Sequence, residues 1–283
     1  VVGAVPNDEV AAKARAPWFT YRRNIDEATR EIVEGFAERG IFDEATVGVV
    51  ASIDDQQTME DVALPVLADL GVEPAETAVI TTPIIFTEEV EAEVGVIASR
   101  FEALGVDLVL AVGGGVALWT AGIEDIGYAP RLATTDLGSL RAYIRDRGGR
   151  DLSILEGSVA GNQPEQLAWW DDPLTQTCIE IVEASGEPEI LDPNTRAADE
   201  PENIVSVNSA CATVALFVAI AEAAGADLTS ETFGAAGESL GELTVPSYGT
   251  GTWTPDAPDG ALPIYYYEWD DEAQDLVTDG ASF

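Results

Sequence analysis

The sequence predicts an α/β protein built on a parallel sheet wound with helices, and three observations carry that expectation. Between Ile25 and Asp136, segments of helical period alternate with short strand-like runs, helix then strand, four times over. The runs TVGVVAS (Thr46–Ser52) and DLVLAV (Asp107–Val112) are almost wholly apolar, as strands covered on both faces must be. Acidic residues and glycines follow these strands, where the chain has to turn into a helix.

Each element has a local reason. Val1–Val5 reads as a short buried strand ending at Pro6, and Lys13–Arg23, with Pro17, Trp18, Phe19 and Tyr21, as irregular. A helix opens at Asn24 or Ile25. Asp26 and Glu27 suit its positive end, Gly40 its exit, and Ala28, Ile32, Val33, Phe36 and Ala37 its inner face. After strand Thr46–Ser52 comes a helix over Thr58–Leu70, with Met59, Val62, Val66 and Leu70 inward and a kink expected at Pro65. Strand Thr77–Thr82, stopped by Pro83, is followed by helix Thr87–Leu104, strand Asp107–Val112, helix Val116–Ile126, strand Arg131–Thr135 and a helix opening at Leu137 or Gly138. Leu152–Ala160 reads as extended, Asp172–Ala184 as helix, Asp192–Glu202 as an acidic loop, and Asn203–Ala224 and Thr229–Leu240 as helices. Ser247–Pro263 is rich in Gly, Pro and Thr, and Leu262–Val277 reads as a hairpin carrying Tyr265, Tyr266, Tyr267 and Trp269.

Composition removes several functional classes. The net charge is −39, from 52 acidic and 13 basic residues in 283, and Lys13 is the one lysine. That density argues against nucleic acid and anionic membranes as partners. It fits a halophilic or salt-exposed source, or equally a high-GC genome that favours arginine. There is no histidine, hence no Ser-His pair and no usual general base or catalytic zinc site. Ser158, Ser209 and Ser247 lack both a partner base and a G-x-S-x-G elbow, so no catalytic residue, metal or cofactor is expected. The longest apolar run, Ala210–Ala224, is interrupted by Glu222 and reads as a core helix rather than a membrane span. Cys178 and Cys211 lie on separate predicted helices, as two buried thiols or, the reading preferred here, as one disulfide that would place the protein outside the cytosol. The chain opens Val-Val-Gly and not Met, which reads as a processed product or a fragment.

The turns after the strands hold the candidate site. Gly113-Gly114-Gly115 follows a strand and opens a helix, but Ala117 and Leu118 stand where a dinucleotide fingerprint continues, so a close backbone approach or a tight turn is the better reading. Asp54, Asp55 and Asp136 follow buried strands. At the carboxyl ends of a parallel sheet such acids accept hydrogen bonds from a ligand ammonium, or else cap the next helix. Trp169-Trp170 and the Tyr265–Trp269 cluster suit packing better than a sugar platform.

The succession VVGAVPNDE, APWFTYRRNIDEATR, TVGVVASIDD, DLVLAVGGG, RLATTD, SACATVALFVAIAEAAGADLT and TWTPDAPDGALPIYYYEWDDEAQDL resembles, in its order, the type I periplasmic substrate-binding proteins of ABC transporters, the branched-chain amino-acid type. The resemblance spans nearly the whole chain, and the cysteine pair is similar to that of actinobacterial members. It implies two Rossmann-like lobes with parallel sheets joined by a hinge, with residues 1–22 and 154–250 in an incomplete, N-terminally truncated first lobe and 23–153 and 251–283 in the second. It implies no enzyme. It implies an extracytoplasmic receptor, lipid-anchored in its full-length form, that closes on an amino acid or amide and docks on a membrane ABC permease. A ligand-sensing ectodomain of the same fold and, further off, a nucleotide-dependent α/β enzyme are the alternatives. Carried over residue by residue, Pro6 and Asn7 would lie at the first-lobe rim, Asp54, Asp55, Gly114 and Gly115 at the second-lobe rim where family members place aromatics, and Asp136 where an acid pairs with the ligand ammonium. No aromatic stands at those rim positions; Trp119 is the nearest.

Overall fold

The computed structural model describes residues 2–3, 7–82, 87–124, 126–145, 152–163, 170–186, 189–193, 195, 200 and 203–282. In chain order these form α1 (Asp8–Lys13), α2 (Ile25–Glu38), β1 (Val47–Ser52), α3 (Gln56–Thr58), a π-helical turn (Met59–Ala63), α4 (Leu64–Asp69), β2 (Glu76–Ile80), α5 (Glu88–Ala103), β3 (Leu108–Val112), α6 (Gly115–Ile123), β4 (Arg131–Thr134) and α7 (Leu137–Arg145). A 3₁₀ turn (Leu152–Leu155), β5 (Val159–Asn162), α8 (Pro173–Ala184), α9 (Ile204–Ala224), α10 (Ser230–Glu238), β6 (Gly241–Val245), β7 (Gly249–Trp253), β8 (Tyr265–Asp270) and β9 (Asp275–Ser282) follow. The chain is thus α/β with a mostly parallel central sheet, as its alternating pattern predicts.

Two compact units divide these elements. Unit 2 comprises Asp26–Asn162 and Ile264–Phe283. Its seven-stranded sheet runs β2-β1-β3-β4-β5-β8-β9. The first four pairings are parallel, and the β8–β9 hairpin closes the edge antiparallel to β5. Every residue of β1 and β3 is buried, which explains their unbroken apolar character. One face packs α5, α6 and α7 through Val94, Phe101, Trp119 and Leu140. The other packs α2 and the 56–69 helical segment through Ile32, Phe36, Met59 and Leu67, with Tyr266 of β8 among them. The aromatic tail is therefore core: Tyr266 donates from its hydroxyl to the Glu31 carbonyl at 3.0 Å.

The kink expected at Pro65 takes the form of a π turn. Proline has no amide to donate and its ring crowds the carbonyl four residues back. The preceding turn widens, and the Leu64 N–H reaches Met59, five residues earlier. The stretch expected to be extended from Leu152 instead begins with the 3₁₀ turn, and the strand starts only at Val159.

Unit 1 comprises Val1–Ile25 and Gln163–Pro263. Of the strand expected over Val1–Val5, Val2 is described and makes an isolated parallel bridge to Phe19. Val1 and residues 4–6, like Pro83 and Trp169, lie outside the described residues. The α9 and α10 helices pack with the antiparallel β6–β7 hairpin around Phe19, Leu216, Tyr248 and Trp253. The sequence pattern does not announce this hairpin. The disulfide is present: Cys178 of α8 joins Cys211 of α9, beside Ile179, Ile204 and Val207.

Helix α9 corrects one expectation. It runs 21 residues and is, by length and composition, long and apolar enough to cross a membrane, because Glu222 falls in its last turn rather than its middle. One face is committed to the core through Ala212, Leu216 and Ile220. Another leaves Val214, Phe217 and Val218 exposed by 59%, 47% and 43%.

Candidate functional site

The strand order of unit 2 reverses beside β1: the chain goes outward to β2, then back across to β3. At such a switch point the connections after neighbouring strands diverge and leave a crevice outside the carboxyl ends. The residues that follow β1, β3 and β4 meet there.

The turn after β1 carries Ser52, Asp54 and Asp55. Asp55 is partly buried, and its Oδ2 accepts the Ser52 hydroxyl at 2.5 Å. Burial pushes the Asp55 carboxyl above its ordinary range. The Ser52 hydrogen bond and the nearby Gly114 backbone amide oppose that rise, and the charges of Asp136 and Asp54 reinforce it. Asp54 is exposed in the same turn.

Glycine is required after β3 for two distinct reasons. Gly113 has φ +58, and a Cβ there would come within 2.4 Å of the Asp55 carboxyl carbon. Gly115 lies so close to the end of β1 that a Cβ would meet the Ser52 nitrogen at 2.7 Å. Gly115 therefore serves helix–strand packing. Gly114 stands between the two acids, its would-be Cβ 3.6 Å from Asp55 Oδ2 and 3.9 Å from Ser139 Oγ. The Gly113 N–H donates to Thr135 Oγ1 at 2.9 Å, which ties this turn to the end of β4.

Asp136 follows β4 and caps α7. Its Oδ1 accepts the Ser139 N–H at 3.1 Å and its Oδ2 accepts the Ser139 hydroxyl at 2.5 Å. The capping role weighed from sequence is thus real. Each carboxylate oxygen retains a further lone pair.

The rim accordingly unites Asp55, Gly114 and Asp136, with Asp54 at its margin. Ser52, Thr135 and Ser139 also belong to it, though sequence reasoning passed over them; Ser139 had a signal, in the Asp-x-x-Ser spacing at a helix start. Among the described residues no cluster of His, Cys, Asp or Glu suits a metal ion. Asn7 is in unit 1, where its Oδ1 accepts the Val10 N–H at 2.9 Å and starts α1. Pro6 lies outside the described residues.

No protein-family model matches this sequence, and no curated protein does. Solved structures do match. The amino-acid ABC transporter substrate-binding protein of Pseudomonas fluorescens superposes with a TM-score of 0.65 at 14% identity, over 100% of this chain and 71% of that one. The leucine-, isoleucine-, valine-, threonine- and alanine-binding protein of Brucella ovis, in its closed conformation, gives 0.59 at 15%, over 94% and 63%. An ABC transporter solute-binding protein of R. palustris in complex with benzoate gives 0.59 at 14%, over 94% and 66%. The fold is that of the type I periplasmic binding proteins of ABC transporters. The chain spans just under two thirds of the length of the last two.

Proposed function

We propose that this chain is a non-enzymatic, extracytoplasmic solute-binding protein that captures a small polar ligand, an amino acid or amide, for an ABC permease in the membrane. The observation that carries the reading is the rim of unit 2. Two carboxylates and two hydroxyls gather at the switch point of a fold whose solved examples are binding proteins. Such a rim suits a ligand ammonium, with Asp136 as the anchor and Ser139 orienting its carboxylate. The disulfide supports an oxidising compartment.

A thermal-shift screen against amino acids, amides, aromatic acids, sugars and nucleotides, at low and high salt, tests this. Binding to the native state alone raises Tm, by an amount that grows with ligand concentration over Kd. The expected result is a shift with amino acids or amides that disappears in Asp136→Ala. A shift with nucleotides alone would favour an enzyme. A shift with benzoate-like acids alone would overturn the ammonium anchor.

A further inference from the structure

The chain passes between its two units three times, after Ile25, after Asn162 and after Pro263. On the unit 1 side a buried ion pair ties two of these passages, and the backbone of its arginine bonds the third. Arg23 Nε lies 3.6 Å from Asp259 Oδ2, with the side chains 9% and 2% exposed. The same Asp259 oxygen accepts the Asn24 N–H at 2.9 Å, and its Oδ1 accepts that of Ala261 at 3.2 Å. Arg23 reaches the other two passages. Its Nη1 donates to the Leu262 carbonyl at 3.0 Å, and its backbone N–H donates to Gln163 Oε1 at 2.9 Å.

Stability alone is a poor reason for charge at this place. Desolvating an arginine and an aspartate costs about as much as their attraction returns, and apolar residues of the same volume often do as well. What the pair offers is direction. A guanidinium presents donors in a fixed fork, so the Arg23 side chain holds Asp259 and Leu262 of one passage at set distances, while its own backbone N–H holds Gln163 of another. Apolar packing would fill the volume without fixing how far each strand can slide.

We propose that Arg23 and Asp259 form a clasp that makes the three passages act as one joint, so that loosening it frees all three together. Both are positioning residues. The inference is independent of any ligand.

Amide hydrogen exchange on the full chain, wild type against Asp259→Asn, tests it. Asparagine keeps the shape and removes the charge. The expected result is about tenfold faster exchange, the change that goes with losing one hydrogen bond to a charged group, in segments 22–26, 161–163 and 262–265 together. Protection across β6 and β7 should be unchanged. Acceleration confined to 257–261, the loop that carries the substitution, would overturn the proposal. Should Asp259→Asn unfold unit 1, Gln163→Ala decides, since it removes only the acceptor of the Arg23 amide. Faster exchange at both 22–26 and 262–265 supports the clasp, and an effect limited to 161–163 refutes it.

Discussion

Cutting the bond between Cys178 and Cys211 is expected to weaken unit 1 more than any single surface change. The two cysteines are 33 residues apart in sequence. Closing a loop of that length removes denatured-state entropy worth about 3.7 kcal/mol at 25 °C in the chain-entropy model. The local apolar cluster is small, with Ile179, Ile190, Ile204 and Val207 at its centre, and contributes roughly 1.5–3 kcal/mol per buried side chain. The staple is therefore comparable with one or two of those residues. For a domain of roughly 100–150 residues the loss corresponds to a fall in Tm on the order of 10 °C. Guanidinium titration with and without reductant, followed by near-UV circular dichroism, measures it, and a Cys178→Ser/Cys211→Ser variant without reductant should reproduce the reduced midpoint. If the midpoint is unchanged while thiol titration shows both sulfurs free, then α8 and α9 are held by packing alone and the entropic reasoning fails.

Three further outcomes are expected. Gly113→Ala forces a side chain into left-handed backbone and against the Asp55 carboxyl, so Tm should fall by the equivalent of at least about 1–2 kcal/mol; a melt within error of wild type would show that the turn can relax. Asp55→Asn carries a pH signature. Because burial holds the Asp55 carboxyl above its ordinary range, its contribution to stability is complete below the ordinary aspartate value of about 3.9 and is lost as pH rises through the folded value. The variant should therefore gain on wild type at neutral pH and lose that advantage in acid, and a pH-independent difference in melts would contradict the assigned cause. With a net charge of −39, Tm should rise between low and molar NaCl as self-repulsion is screened; a flat profile would mean that the acids are compensated locally.

Much of unit 2 was legible because its strands are covered on both faces. VGVVAS and LVLAV have no polar alternation to confuse them with loops, and each ends at a turn residue. The β6–β7 hairpin was not legible. Its inward positions include Val245, Gly249, Gly251 and Trp253, so half of the apolar signal is glycine. Helix α1 buries nothing and is set by its Asn7 cap, so no period announces it. At the site, Asp55 and Asp136 could be placed because strand ends converge in a parallel sheet. Ser52 and Ser139 could not, since a hydroxyl takes its role from the partner that the fold brings within reach.

The bare face of α9 sets a condition on handling the protein. Val214, Phe217 and Val218 face solvent on a chain whose charge keeps copies apart. The salt that shields the acids within one molecule equally lowers the barrier between molecules, and it strengthens the drive to hide apolar surface. Thermal stability and colloidal stability therefore pull in opposite directions along the same salt axis, and the useful working range is a window bounded by unfolding at the dilute end and by association through α9 at the concentrated end.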